Sequence, residues 1–153
     1  MTLEDQDWRL LDILQTDGRI TNQALAERAG MSPSACWRRV RALEQAGVIR
    51  RYGARLDARA AGLHFHAIVH VQLARHSREA VREFTEAVSR SPEVQACYAT
   101  TGVADYHLNV ICRDQDAYND FMERLLFRLT GVANVQTNIV LREIKPDSPL
   151  ARD

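Results

Sequence analysis

The chain has 153 residues, 46% of them apolar, and its 20 basic and 20 acidic side chains cancel. That length holds one ordinary domain or two small ones, and no apolar run reaches membrane-spanning length, so no membrane partner is expected. The acidic opening MTLEDQDWRLL has neither the basic nor the apolar part of a secretory signal. Cys36, Cys97 and Cys112 are too widely spaced for a disulfide framework or a CxxC metal pair, so a reducing, cytoplasmic setting is expected.

Leu10, Leu11 and Leu14 form an apolar stripe within residues 3–15 that predicts a first helix, stopped by Asp17-Gly18. Thr21 can cap a second helix, buried through Leu25, Ala26 and Ala29. After a tight turn at Gly30-Met31, Ser32 can cap a third, with Pro33 at the first helical position, where its missing N–H costs nothing. On that helix Cys36, Val40 and Leu43 share one face, and Ser34, Trp37, Arg38 and Arg41 share the other. An apolar side that anchors and an Arg/Ser/Trp side that faces outwards are what a helix reading a DNA major groove requires. Gly47 can end the helix, and Val48, Ile49 and Tyr52 with Gly53 predict a short strand and turn, a wing that carries Arg50, Arg51 and Arg55.

The zero net charge is unevenly spread. Residues 34–55 hold six arginines against the single acid Glu44, whereas residues 57–153 hold eleven basic and thirteen acidic side chains. A localised basic patch points to a polyanion, its bland alternative being a solvated helix face. Together with the capped helix-turn-helix it makes double-stranded DNA the expected partner, and nucleoid association the expected location. Base reading falls to Ser32, Ser34, Trp37, Arg38 and Arg41, and phosphate contact to Thr21, Arg39, Arg50, Arg51 and Arg55. Packing against a neighbouring element explains Trp37 equally well.

Residues 57–63, DARAAGL, form a small-residue connector between a domain at 1–56 and another at 64–153. From His64 the period changes to alternation, Phe65/Ala67/Val69/Val71/Leu73 against His64/His66/Ile68/His70, which predicts a strand. Ser77 then caps a helix with Val81, Phe84 and Val88, closed by Pro92. Strands follow at 94–101 and 106–112. Asp116 can cap a long helix with the stripe Tyr118, Phe121, Met122, Leu125, Leu126 and Leu129. Gly131 breaks it before a last strand at 135–144. The order βαββαβ is a ferredoxin-like split unit, so the chain is an α+β protein, a winged helix-turn-helix followed by that unit. A sheet with helices on one face leaves the other open, which a homodimer would cover. In the loop TGVADY, Gly102 lets backbone N–H groups approach an anion and Asp105 offers a carboxylate to an ammonium, a sensible clamp for a free amino acid. A hairpin turn in which Asp105 caps its own backbone is the alternative.

With DGRIT, MSPSACWRRVRALEQAGVIRRYGARLD, TGVADYHLNV and LTGVANVQTNIVLREIK in that order, the chain resembles the Lrp/AsnC (feast/famine) family of regulators from about Leu3 to Lys145. The resemblance implies a DNA-binding first module and a RAM/AsnC-type second module that binds an effector and dimerises, often building tetramers or octamers. It implies no cofactor; the small-molecule effector would be an amino acid or a related metabolite, held between dimers. By position the effector loop falls on Thr101, Gly102, Asp105 and Tyr106, faced by Val135 and Thr137 of the last strand. Many relatives carry threonine at both of those strand positions. Val135 therefore implies a less polar effector, a different orientation, or none.

The competing reading is a metal- or tetrapyrrole-dependent enzyme on the same fold, resting on His64, His66 and His70 with His76 and His107 near them. Those histidines lack the Cys or carboxylate partners at metal spacing, and such an enzyme has no use for Arg38 and Arg41. No nucleophile elbow, P-loop or GxGxxG is present, so the expected protein is not an enzyme.

Overall fold

Capping side chains decide where the first helices begin in the computed structural model, which describes residues 2–74, 77–146 and 148–152. Helix α1 spans Asp5–Thr16, and the N–H of Glu4 just before it donates to Asp7 Oδ2 at 2.9 Å. Thr21 Oγ1 accepts from Ala24 N at 3.3 Å and starts α2, Asn22–Ala29. Ser32 Oγ accepts from Ala35 N at 3.3 Å and starts α3, Pro33–Gln45, with Pro33 in its first turn. Each cap satisfies a backbone donor that the helix itself leaves unpaired. Between α2 and α3 the chain turns through Gly30 at φ 69°, the left-handed region where a side chain is disfavoured. Asn22 Nδ2 also donates to the carbonyl of Pro33 at 2.9 Å, tying one helix start to the next.

The core of this unit is Leu10, Leu25, Ala26, Ala29 and Cys36, with Ile13, Leu14, Ile20, Met31 and Val40 packed around it. Leu43 is also fully buried. The expected wing strand is absent from residues 48–56. Val48 and Ile49 both donate their N–H groups to the carbonyl of Leu43, at 3.0 and 3.2 Å, so their donors finish α3 rather than pair with a strand. The wing is irregular chain.

Two compact units emerge, Met1–Arg55 with Ile144–Asp153, and Leu56–Glu143. The end of the chain thus groups with the helices rather than with the sheet. Leu150 holds it there: its N–H donates to Gln15 Oε1 at 2.6 Å and its carbonyl accepts from Gln15 Nε2 at 3.1 Å, while Arg152 pairs with Asp5.

In the second unit the connector is a tight turn, with Asp57 Oδ1 accepting from Ala60 N at 2.9 Å. The strands are β1 Phe65–Leu73, β2 Val94–Ala99, β3 Tyr106–Cys112 and β4 Val132–Ile139, in the antiparallel order β2-β3-β1-β4. Helices α4 (Arg78–Arg90) and α5 (Gln115–Arg124) bring Phe84, Val88, Tyr118, Phe121 and Met122 onto one sheet face, against Ala67, Val69, Val71, Leu108 and Val110. Ser77 caps α4 as expected. Three expectations shift. Asp114, not Asp116, caps α5, because Asp114 has the extended backbone of a cap and its Oδ1 accepts from Ala117 N at 2.8 Å. That helix is shorter than its apolar stripe, giving way to a 3₁₀ turn, Leu126–Arg128, that still buries Leu126. The last strand starts at Val132 and stops at Ile139, where Ala67 faces it near the start of β1 and little partner strand remains.

Candidate functional site

The outward face of α3 exists because its inward face is spoken for. Cys36 and Leu43 are fully buried, which leaves Ser34, Trp37, Arg38 and Arg41 exposed one and two turns along. Trp37 is 57% exposed, so burial within its own unit does not hold the indole. The guanidinium carbon of Arg41 lies 5.6 Å from the centre of the Trp37 ring. Arg41 Nη1 also reaches Glu44 Oε2 at 3.2 Å, and Glu44 Oε1 accepts from Tyr52 OH at 3.1 Å. Glu44 and Tyr52 thus orient Arg41, a role the sequence did not signal, since Tyr52 reads as a wing residue. Burial, then Glu44, push the Tyr52 phenol above its usual range, so it stays a donor.

The serines divide. Ser32 spends its hydroxyl on the helix cap, and Ser34 Oγ lies 3.3 Å from it at a helix start, where the helix dipole favours negative charge. Thr21 likewise spends its side chain on a cap. Arg50, Arg51 and Arg55 are exposed on the irregular segment.

Arg39 differs from the other arginines. Its Nη2 meets Glu4 Oε2 and its Nη1 meets Asp7 Oδ1, both at 2.9 Å, and Asp7 is buried. Its hydrogen bonds to Glu4 and Asp7 raise its already high pKa. Its charge is spent inside the fold, locking α1 to α3, rather than offered to a phosphate. Arg39→Ala is therefore expected to lower the stability of the helical unit by about 1–3 kcal/mol, because it strands the buried Asp7. The salt slope of DNA binding would stay unchanged, and thermal unfolding with a salt titration checks both.

At the other candidate site, Gly102 turns the β2–β3 loop at φ 125°, a conformation that L side chains rarely adopt. Asp105 is anchored: its N–H donates to the carbonyl of Val71 at 3.0 Å, and its Oδ2 accepts from Leu73 N at 2.7 Å. Its side chain thus reaches the end of β1, not only its own loop. Tyr106 and Val135 both pair with Val71 from opposite sides of β1, so loop and last strand converge there. Tyr106 is a core residue, its ring 4.4 Å from Phe84, and burial raises its phenol pKa. Val135 packs against the core, and Thr137 Oγ1 shares a 2.5 Å hydrogen bond with Tyr118 OH, a partner sequence reasoning missed. Thr101 is exposed at the loop's start.

His66 and His70 lie on one side of β1 as expected, whereas His64 precedes the strand; His76 lies outside the described residues. No group of three or more His, Cys, Asp or Glu is placed to hold a metal among the described residues. Burial raises the pKa of the Cys36, Cys97 and Cys112 thiols, opposite to what a nucleophilic cysteine needs.

Two family models match. A winged helix-turn-helix DNA-binding model covers residues 3–50, and an Lrp/AsnC ligand-binding-domain model covers residues 66–150. The regulatory protein DoeX of Halomonas elongata is 37% identical over 97% of this chain and 94% of its own length. The leucine-responsive regulatory protein of Escherichia coli is 35% identical over 97% and 90%. Among solved structures, a transcriptional regulator of Neisseria meningitidis in complex with L-Met superposes at a TM-score of 0.91, with 38% identity, over 98% of this chain and 97% of that one.

Proposed function

This chain belongs to the Lrp/AsnC family of transcriptional regulators, and we propose that it reads DNA through the outward face of α3 and answers to an apolar α-amino acid at the end of β1. It is a regulator with a helix-turn-helix and an Lrp/AsnC ligand-binding domain, not an enzyme. The observation that carries the DNA reading is a helix capped by Ser32, anchored through Cys36 and Leu43, that leaves Trp37, Arg38 and Arg41 outside. Arg38 and Arg41 supply hydrogen-bond pairs for guanine edges, and Ser34 and Trp37 complete the reading surface. Thr21 flanks that surface, and Ser32 shapes it by holding the helix start. Arg50, Arg51 and Arg55 bind phosphates without reading sequence.

Assembly follows from the sheet unit. A homodimer pairs two reading heads, and tetramers or octamers of dimers set them on half-sites about one helical turn apart. The protein then works on the nucleoid, in the cytoplasm. An amino acid acts by preferring one assembly to another, and only by as much as its affinities differ. Its ammonium meets the charge of Asp105, whose carboxylate the Leu73 N–H helps to hold in place. Thr101 and the Gly102 backbone face its carboxylate, with Tyr106 and Thr137 shaping the wall. Val135 favours an apolar side chain, and the relative bound to L-Met supports that class.

The test is binding of the full chain to its own upstream DNA at two salt concentrations, with and without each common amino acid. Salt-sensitive binding altered by an apolar amino acid is expected, and no binding at either salt overturns the reading. Within that experiment, the double variant Arg50→Ala/Arg51→Ala lowers the slope of log K against log salt by about two, since each lost phosphate contact removes close to one counterion. Asp105→Asn keeps an acceptor for Leu73 N–H but loses the charge. It should abolish the amino-acid response with DNA affinity intact; a response that persists removes Asp105 from the site.

A further inference from the structure

Glu44 is the single acid among the six arginines of residues 34–55, and the fold sets it against Arg41. Its Oε2 accepts from Arg41 Nη1 at 3.2 Å and its Oε1 from Tyr52 OH at 3.1 Å, so both carboxylate oxygens are engaged. Packing does not fix Arg41. Its side chain is 59% exposed and, with Trp37, Glu44 and Tyr52, borders a hollow of about 260 Å³ that Leu25 and Val40 also line. The ion pair and the Trp37 ring, 5.6 Å from the guanidinium carbon, therefore set its direction. Tyr52 is supported in turn. Its ring lies beside Gly18, where a Cβ would stand 3.6 Å from Tyr52 Cδ1, so the turn after α1 backs the ring that presents the hydroxyl.

We propose that Glu44 and Tyr52 are specificity-determining residues, a clamp that keeps Arg41 off the phosphates and makes it a reader of base edges. The proposal rests on the reading of DNA through α3. An arginine on a free stem is drawn to any phosphate, which adds affinity without regard to sequence. Paired with Glu44, Arg41 has its charge opposed by a carboxylate already in place, and a lone phosphate must compete with it. A guanine edge competes differently, because it offers two acceptors, O6 and N7, in one plane. Glu44 takes a hydrogen of Nη1 alone, which leaves the Nη2–Nε edge of the guanidinium free of the clamp to make paired bonds to O6 and N7. The clamp thus weakens contact with the wrong sequence more than with the right one, and it orders a long side chain before DNA arrives.

The experiment is fluorescence anisotropy of the full chain with a duplex that it selects from a random pool, and with a scrambled version of that duplex. Each variant's fold is checked by circular dichroism. Tyr52→Phe removes one hydroxyl, keeps the ring and changes no charge. Its preference for the selected duplex is expected to fall by about three- to tenfold, the weight of one net hydrogen bond. That fall should vanish in an Arg41→Ala background, whereas a Tyr52 that only packed the segment after α3 would act with or without Arg41. Glu44→Gln should raise affinity for the scrambled duplex and steepen its salt slope by about one, as the freed Arg41 gains a phosphate. Affinity for the selected duplex should change less. An unchanged preference in Tyr52→Phe, an equal fall in the Arg41→Ala background, or an equal rise on both duplexes in Glu44→Gln overturns the clamp and leaves the DNA reading in place. A wild-type chain that prefers no duplex overturns that reading, and the clamp with it.

Discussion

Arg38→Ala lowers affinity for a specific operator by about ten- to a hundredfold, the equivalent of roughly 1–3 kcal/mol, with helical content and thermal midpoint unchanged. The residue is exposed on α3, whose buried side is complete without it, so its removal opens no cavity. The loss should be confined to specific DNA, since a paired hydrogen bond to one base edge discriminates between sequences. Fluorescence anisotropy with specific and scrambled duplexes measures both. An equal loss on the two would make Arg38 a phosphate contact instead. Arg41→Ala should behave similarly but less cleanly. Its guanidinium also bonds Glu44 and covers Trp37, so the variant loosens the Glu44–Tyr52 contact as well.

Phe121→Ala should cost the sheet unit about 3–5 kcal/mol, the usual loss when a fully buried aromatic ring leaves a cavity. Phe121 has no exposed surface, its ring centre is 6.0 Å from that of Tyr118, and it lies in the cluster with Phe84, Leu108 and Val110. Tyr118 in turn bonds Thr137 on β4, so the damage reaches the strand proposed to face the effector. Denaturant unfolding followed by tyrosine fluorescence reads the loss. Val103→Ala is the control: that side chain is 90% exposed on the β2–β3 loop and its truncation should leave the curve in place. A small effect at Phe121 would mean that the helices can close over the gap.

Much of this architecture was legible in the chain because it rests on local rules. Thr21, Ser32 and Ser77 cap their helices, and Gly30 takes the left-handed turn, since a cap needs only a side chain and a backbone N–H two or three residues on. The alternation of residues 65–73 declared which side of β1 is core. The candidate DNA surface was legible for the same reason, as the complement of a buried helical stripe.

What the chain could not declare depends on which distant groups meet. Six arginines look alike in a basic stretch, and only the fold shows Asp7 of α1 and Glu4 just before it holding Arg39. Asp105 offered both a ligand and a turn residue, and only the neighbouring end of β1 showed that Leu73 N–H claims one of its oxygens. The wing strand failed because the donors of Val48 and Ile49 had a nearer acceptor in Leu43, and β4 stopped short because β1 begins at Phe65. His70 and His107, 37 positions apart in sequence, share a hydrogen bond only through the register of β1 on β3. By itself, then, the sequence determined most of the elements, the core faces and the family, because caps and periodicity act within a few residues. The tertiary structure alone decided which charges are spent, which hydroxyls are paired and which imidazoles meet, because those depend on strand register and helix packing between distant parts of the chain.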